Sequence, residues 1–188
     1  MTELVFFLEE ASAKAMLEVL VPRLAPPGAA FHLRCVVFEG KQDLERNLEQ
    51  KLRGYLTPNA KFFVLRDQDR EDCRKLKQRL KKICVKAKRP ATVVRIACRE
   101  LESFYLGDLR AVEKALGLKN LARRQSTEKF RDPDQLQNPA AELESLTGYI
   151  YQKVGGSRAI AAELNPHQSR SKSYLQLVTA ITAALPVK

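Results

Sequence analysis

The sequence predicts an α/β protein with a mostly parallel, Rossmann-like sheet flanked by helices and with a helical C-terminal extension. Two observations carry this prediction. Short apolar segments alternate with segments of helical periodicity up to residue 98, which is the pattern of parallel strands joined by right-handed crossovers. Beyond that residue only helical patterns follow. The predicted organisation is therefore a core over residues 1–108 and an extension packed on it over residues 109–188.

The predicted elements follow from apolar spacing. The strands are short runs rich in branched and aromatic residues, over 3–8, 30–38, 61–65 and 91–98. The helices between them repeat apolar side chains every three or four residues, as Leu44, Leu48 and Leu52 do. These helices cover 12–24, 40–55 and 73–87, and four more are predicted at 108–117, 139–147, 157–164 and 171–184.

The composition indicates a globular, basic protein. The 188 residues are 45% hydrophobic and 29% charged, and the net charge of +11 favours an anionic partner such as nucleic acid. No apolar run approaches the roughly 20 residues that span a bilayer, and no basic leader precedes the first apolar run. The four cysteines form no CxxC pair. The expectation is a reduced, cytoplasmic protein without a zinc site.

Acidic side chains follow three of the predicted strands. The first strand is followed by Glu9 and Glu10, the third by Asp67 and Asp69, and the fourth by Glu100 and Glu102, with Asp108 soon after. Parallel strands bring their carboxyl ends to one edge of a sheet, where ligands bind, so these carboxylates are expected to lie there together. If the chain is still extended at Asp69, its side chain points the same way as that of Asp67.

Two interpretations of these acids remain open. Carboxylates close together repel one another and suit Mg²⁺ or Mn²⁺, which take oxygen ligands. Acids after strands can also simply favour the N-terminal end of the next helix dipole. Three sets on one edge of a basic protein favour the metal interpretation. Within the last set Glu100 is preferred to Glu102, because it lies nearer the end of its strand.

The segments "FFLEEAS" and "VLRDQD" resemble the Toprim pattern, in which a Glu ends the first strand and an Asp-x-Asp ends the third. Toprim domains occur in topoisomerases, primases and nucleases of the OLD type. The chain resembles still more closely the bacterial and archaeal family catalogued as domain of unknown function 4276. The shared segments run along nearly the whole chain: "EEAS", "LVPRL", "GKQDL", "LRGY", "DQDREDCRKLK", "RIACRELESFYLGD", "FRDPD" and "SRSKSY".

The resemblance implies a Toprim-like fold and metal-dependent cleavage of phosphodiester bonds in nucleic acid. Glu9, Asp67 and Asp69 take the catalytic positions, and the full predicted set of ligands for Mg²⁺ or Mn²⁺ is Glu9, Glu10, Asp67, Asp69, Glu100 and Glu102. Glu10 stands where Toprim domains usually have a Gly. Relatives often accompany ATPases in mobile-element and phage-defence settings, so an ATPase partner is a further expectation.

Basic side chains are expected to hold the nucleic-acid backbone. Most lie in the helix that follows the third strand, and the predicted set is Lys41, Arg74, Lys77, Lys81, Lys82, Arg170 and Lys172. The alternative function is a non-catalytic module that binds nucleic acid or an ATPase through the same surface, with the acids capping helices or holding a structural ion. Metal-dependent cleavage that Asp67→Ala abolishes without unfolding the protein separates the two.

Overall fold

A four-stranded, all-parallel sheet lies at the centre of the protein, in a computed structural model that describes residues 1–186. The order across the sheet is β2-β1-β3-β4. The strands are β1 (Thr2–Leu8), β2 (Phe31–Val37), β3 (Ala60–Asp67) and β4 (Val93–Ala97). The predicted α/β class with a parallel sheet is confirmed. Residues 187–188 of the predicted extension lie outside the described residues.

Helices alternate with the strands and then continue alone. The bounds are α1 (Ala11–Leu24), α2 (Lys41–Arg53), α3 (Cys73–Lys86), α4 (Glu102–Leu106), α5 (Leu109–Ala115), α6 (Pro139–Leu146), α7 (Lys153–Glu163) and α8 (Lys172–Ala184), with short 3-10 turns between α5 and α6. Helix α7 begins four residues before its predicted start. The prediction began after Gly155 and Gly156, which lie inside the observed helix. A Cβ on Gly156 would overlap the Tyr151 ring, so the glycine permits close packing there. None of the helices in residues 1–186 is long and apolar enough to cross a membrane.

Different helices cover the two faces of the sheet. Successive strand side chains point to opposite faces. Phe7 and Val64 pack with α2 and α3, whereas Phe6 and Phe63, whose rings stack 4.5 Å apart, pack with α1 and the later helices. Ile181 of α8 is fully buried in this second core. The helices after β4 therefore supply much of one covering layer.

The strand order changes direction at β1, and this positions the functional site. The chain passes from β1 to β2 on one side and returns from β2 to β3 on the other side of β1. At such a switch point the two connections leave in opposite directions, so a crevice opens at the carboxyl ends of the two strands. Glu9 follows β1 at this crevice, and Asp67 is the last residue of β3.

Candidate acidic site at the carboxyl edge of the sheet

Glu9 and Asp67 lie together where β1 and β3 end, and Glu102 is near enough for its charge to act on Asp67; we call these three residues the acidic site. Oε2 of Glu9 accepts a hydrogen bond from the backbone N–H of Asp67 at 3.3 Å. Glu102, at the start of α4, is only 2% exposed. Burial, followed by the negative charges of Glu102, Glu9 and Glu10, raises the pKa of Asp67 well above its usual value. Burial also raises the pKa of Glu9 and of Glu102. The site therefore carries excess negative charge that a cation or a proton would neutralise.

A lysine at the start of α7 and a tyrosine from the connection between α6 and α7 complete the surroundings of the acidic site. Lys153, the first residue of α7, places Nζ 3.4 Å from Oε2 of Glu10. Although burial lowers the pKa of Lys153, the charges of Glu10, Glu102 and Asp67 raise it overall. The Tyr151 hydroxyl donates to Oε1 of Glu102 at 3.0 Å. Neither residue was predicted, because no local sequence pattern marks them and only the fold brings them to this edge.

Asp69 has a different partner from Asp67. β3 ends at Asp67, and Asp69 has a left-handed backbone conformation with φ of 54°. The chain is not extended there, so the condition for the predicted alignment of the two side chains is not met. Oδ2 of Asp69 instead accepts a hydrogen bond from Nζ of Lys41 at 2.8 Å. Asp69 is still close enough to Glu9 for its charge to contribute to the raised pKa of that residue.

The two acids after β4 have different environments. Oε2 of Glu100 accepts a hydrogen bond from the backbone N–H of Ala140 at 2.8 Å, in the first turn of α6. Glu100 therefore acts as a helix cap, whereas Glu102 adds its charge to Asp67. The predicted preference for Glu100 over Glu102 as a metal ligand stays a prediction, but the hydrogen bond of Glu100 to α6 favours Glu102, because distance from the strand end does not determine the direction of a side chain. One helical residue turns the side chain by about 100°. Asp108 also caps a helix, accepting from the N–H of Ala111 at 3.1 Å.

The donor chemistry of the acidic site fits a hard divalent cation. Its side chains offer only carboxylate oxygens, which Mg²⁺ and Mn²⁺ prefer. Within residues 1–186, however, no three acidic, histidine or cysteine side chains stand close enough to coordinate one ion. Asp69 is paired with Lys41, and Glu100 caps α6. Among the predicted ligands, Glu9, Asp67 and Glu102 are instead the acids whose pKa is raised, so the fold compensates their negative charge least.

Two clefts with basic side chains open near the acidic site. One of about 680 Å³ is lined by Asp69, Lys41, Arg70 and Arg99. A neighbouring cleft of about 390 Å³ contains two of the predicted nucleic-acid-binding residues together with two arginines that sequence analysis did not select: Lys77, Lys172, Arg95 and Arg99. Both clefts lie at the carboxyl edge of the sheet, beside the acids.

The other predicted basic residues are more widely spread. Nζ of Lys81 donates to the carbonyl of Thr92 at 2.5 Å, at the amino end of β4 and so away from the acidic site. Arg74 and Lys82 are exposed on α3. Arg170 lines a separate polar cleft with Arg110. Lys41, Lys77 and Lys172 are thus the members of the predicted set that line clefts at the acidic edge.

Comparisons with known proteins give one family and several similar structures. The family model described as "Domain of unknown function (DUF4276)" matches residues 8–181. The C-terminal region of the Burkholderia pseudomallei OLD protein is similar at 19% identity and a TM-score of 0.49, over 96% of this chain and 97% of that chain. The C-terminal region of the Xanthomonas campestris pv. campestris OLD protein is similar at 16% identity and a TM-score of 0.45, over 97% of this chain and 93% of that chain. No curated protein matches the chain. The range matched by the family model includes every residue of the acidic site.

Proposed function

The chain belongs to the family described as Domain of unknown function (DUF4276), and we propose that it is a metal-dependent nuclease that cleaves phosphodiester bonds. The observation that carries this proposal is the contact between Glu9 and Asp67 at the switch point between β1 and β3, with Glu102 near enough for its charge to act on Asp67. A buried carboxylate among other carboxylates is unstable as an anion unless a cation joins it. The Toprim resemblance of "FFLEEAS" and "VLRDQD" gives independent support.

In this proposal the acidic site holds Mg²⁺ or Mn²⁺, and Glu10 and Asp69 supply further oxygens. A bound ion of this kind activates water and stabilises the leaving oxygen of a phosphodiester. Lys153 neutralises the charge of the acids and is placed to attract an anionic phosphate to them. Lys41 is paired with Asp69 at 2.8 Å. If Lys41 moves to a substrate phosphate, the Asp69 carboxylate becomes available to the ion.

The substrate would lie in the cleft that opens at Asp69. Lys41, Arg70 and Arg99 line this cleft and offer three positive charges to a sugar–phosphate backbone. Binding by several lysines and arginines releases counterions, so affinity should fall steeply with salt. Charge reversal of Arg70 and Arg99 should reduce the salt slope more than charge reversal of Lys81 and Lys82, which are farther from the cleft.

The test is cleavage of labelled DNA and RNA in Mn²⁺, compared with the same reaction in EDTA. Asp67→Asn keeps the shape of the side chain and removes its charge, and we expect it to abolish cleavage while circular dichroism stays unchanged. Glu128→Gln, an exposed acid with no part in the site, is the matched control and should cleave normally. Cleavage that persists in EDTA, or in Asp67→Asn, contradicts the proposal.

A non-catalytic binding module is the second candidate. The observation that favours it is that Asp69 and Glu100 already have partners in the protein itself. A module of this kind would bind nucleic acid with the same salt dependence but would cleave nothing. If its acids only cap helices, it would also gain no thermal stability from Mn²⁺, because such a gain comes from ligand binding to the folded state. If its acids hold a structural ion, Mn²⁺ would stabilise it without cleavage.

The proposal also includes an ATPase partner and a role in phage or mobile-element defence. Only the family resemblance supports these two points. The measurement is cleavage by the chain with and without the candidate ATPase and ATP. Activity that requires both would explain an inactive isolated chain. Activity that is unchanged by either would remove the ATPase from the proposal.

A further inference from the structure

Exposed apolar side chains cluster beside the acidic site, at the connection between α6 and α7. Tyr149 is 73% exposed, Ile150 is 55% exposed, and Val154 in the first turn of α7 is 45% exposed. Within residues 1–186 they are three of the seven exposed large hydrophobic side chains, and they fall within six positions of the sequence. We call these three residues the apolar patch. Clustered exposed apolar side chains mark binding surfaces more often than scattered ones do.

Hydrogen bonds fix the backbone that carries the apolar patch. The N–H of Tyr149 donates to the carbonyl of Glu144 at 2.8 Å. Two residues later, Tyr151 is buried, and its hydroxyl donates to Glu102. Tyr149 has a left-handed backbone conformation with φ of 62°, which is uncommon for a bulky side chain. The Tyr149 ring is therefore presented to solvent on an ordered backbone, so a ligand that stacks on it has little chain to order.

The apolar patch is close to the acids at the carboxyl edge of the sheet. Lys153 lies between Ile150 and Val154 in the sequence, and its Nζ is 3.4 Å from Oε2 of Glu10. Tyr149 and Lys153 are four positions apart, and a chain of that length spans at most about 14 Å between Cα atoms. A strand with a phosphate at Lys153 needs to continue for only a few nucleotides to place a base on Tyr149.

The size and charge of these surroundings favour a nucleobase over a protein as the occupant. Three side chains offer far less area than the roughly 800 Å² per partner that a stable protein interface buries. A single ring is enough to stack one base, whatever the identity of that base. The net charge of +11 and the ammonium group of Lys153 attract the phosphates next to it. Paired bases in a duplex are already stacked on their neighbours, so the occupant is an unpaired base.

We propose that Tyr149 is a stacking platform that gives the protein a preference for nucleic acid with unpaired bases. Ile150 and Val154 add apolar surface beside the ring. Tyr149 is a binding residue and takes no part in the cleavage step. The inference rests on the part of the proposed function that makes nucleic acid the substrate, and it adds which form of nucleic acid is bound.

The experiment uses the absence of tryptophan from the chain. Tyr149→Trp keeps an aromatic ring and introduces a single tryptophan, whose fluorescence a stacked base quenches. In EDTA, which prevents metal-dependent cleavage, oligothymidylate should quench it. A duplex of equal length should quench it far less, and an abasic strand should not quench it. Leu56→Trp, at an 86% exposed position before β3 and so at the opposite edge of the sheet, is the matched control and should not be quenched.

The affinity for labelled oligothymidylate gives a second measurement that does not need the tryptophan variants. Tyr149→Ala should weaken single-strand binding about tenfold, whereas Tyr149→Phe should bind as the wild type does. Neither substitution should change the affinity for the duplex. Equal quenching at the two tryptophan positions, or equal single-strand affinity of the wild type and Tyr149→Ala, overturns the proposal.

The outcomes separate this inference from the nuclease proposal. Cleavage in Mn²⁺ without quenching of Tyr149→Trp overturns the platform and leaves the nuclease. Quenching by the single strand without any cleavage overturns the nuclease and supports the platform. A change of Tyr149→Trp fluorescence with protein concentration alone, in the absence of nucleic acid, would show that the apolar patch joins two copies of the chain and would overturn the platform.

Discussion

Arg66 and Asp67 are neighbours on β3 but belong to opposite faces of the sheet and to opposite electrostatic environments. The guanidinium of Arg66 is 1% exposed and lies 2.6 Å from Glu71 and 3.5 Å from Glu45. Arg79 joins the same two acids at 2.5 and 2.8 Å. We call these four residues the paired cluster. On the other face, Asp67 has acids for neighbours and a raised pKa.

The contrast separates a structural arrangement of charges from one suited to binding. In the paired cluster, hydrogen bonding by Arg79 is the largest cause of the lowered pKa of Glu71, so its negative charge is stabilised by the fold. At the acidic site the fold destabilises the negative charge of Asp67, which is typical of functional sites. Glu9 joins the two, since its Oε2 accepts from the Asp67 N–H and lies 3.7 Å from Nε of Arg66.

The largest expected effect comes from breaking the paired cluster. Arg66→Met keeps most of the apolar stem but leaves Glu45 and Glu71 without a buried cation, and it should lower the free energy of unfolding by about 3 kcal/mol. Arg79→Met removes a half-exposed partner of the same acids and should cost about 0.5 kcal/mol. Urea unfolding measures both. Equal losses would show that burial of Arg66 gives the cluster no special role.

Asp67→Asn should act in the opposite direction on the other face. Removing an unfavourable negative charge should stabilise the protein without metal at pH 7, measured by urea unfolding in EDTA. The same substitution should abolish any thermal stabilisation by Mn²⁺. A destabilised Asp67→Asn protein in EDTA would show that the acid has a favourable partner in the folded state.

The pH dependence follows from the direction of the pKa shift. The pKa of Asp67 is raised above its ordinary value of 3.8, so between that value and the raised one the folded state binds more protons than the unfolded state. Stability should therefore fall as pH rises through this window. Asp67→Asn should flatten that fall. The pKa of Glu71 is lowered from its ordinary value of 4.5, so the effect has the opposite sign. The stabilisation by Glu71 is present above pH 4.5 and is lost as pH falls.

Glu100 and Glu102 allow an acid with a structural partner to be compared with an acid of the acidic site within one short segment. Glu100→Gln weakens the cap on α6 and should cost about 0.5 kcal/mol, without changing Mn²⁺ affinity. Glu102→Gln should weaken Mn²⁺ binding and leave α6 intact. Thermal shift against Mn²⁺ concentration distinguishes them. If Glu100→Gln weakens Mn²⁺ binding as much as Glu102→Gln does, the metal interpretation of Glu100 regains support.

The smallest expected effect on stability is that of replacing Lys153. Its side chain is 51% exposed and pairs with Glu10 at 3.4 Å, so Lys153→Met should cost less than about 0.5 kcal/mol at pH 7. It should also make the fall of stability with pH steeper, because the acids lose a neighbouring cation. Lys114→Met, which removes a lysine paired with Glu163 away from the site, should leave the pH profile unchanged. Identical profiles for the two variants would contradict a role for Lys153 at the acidic site.

The sequence predicted the sheet and the meeting of Glu9 with Asp67 because both depend on short-range patterns. Apolar runs of strand length mark β1 and β3, and a parallel sheet brings their ends to one edge. The direction of Asp69 was not predictable in the same way. It depends on one residue with a positive φ directly after the strand, and an Asp in that conformation has no distinct sequence signal.

The paired cluster and Lys153 could not be predicted because their partners meet only in the folded chain. Arg66 reads as the polar end of an apolar run, and nothing near it indicates that Glu45 of α2 would reach it. Lys153 comes from α7, far along the chain from the acids that it approaches. Tertiary contacts of this kind leave no periodic trace, whereas strands, helices and caps do.

The late position of α7 and α8 has a consequence for biosynthesis. Phe6 and Phe63, which are already present when β3 has been made, belong to the core that Ile160 and Ile181 complete. During translation α1 can cover only part of this face of the sheet, and the rest stays exposed until α8 has left the ribosome. Uncovered apolar surface on a nascent chain promotes aggregation and binding by chaperones. Slow synthesis of the last third of the chain would therefore reduce the yield of folded protein, even though every strand had been completed long before.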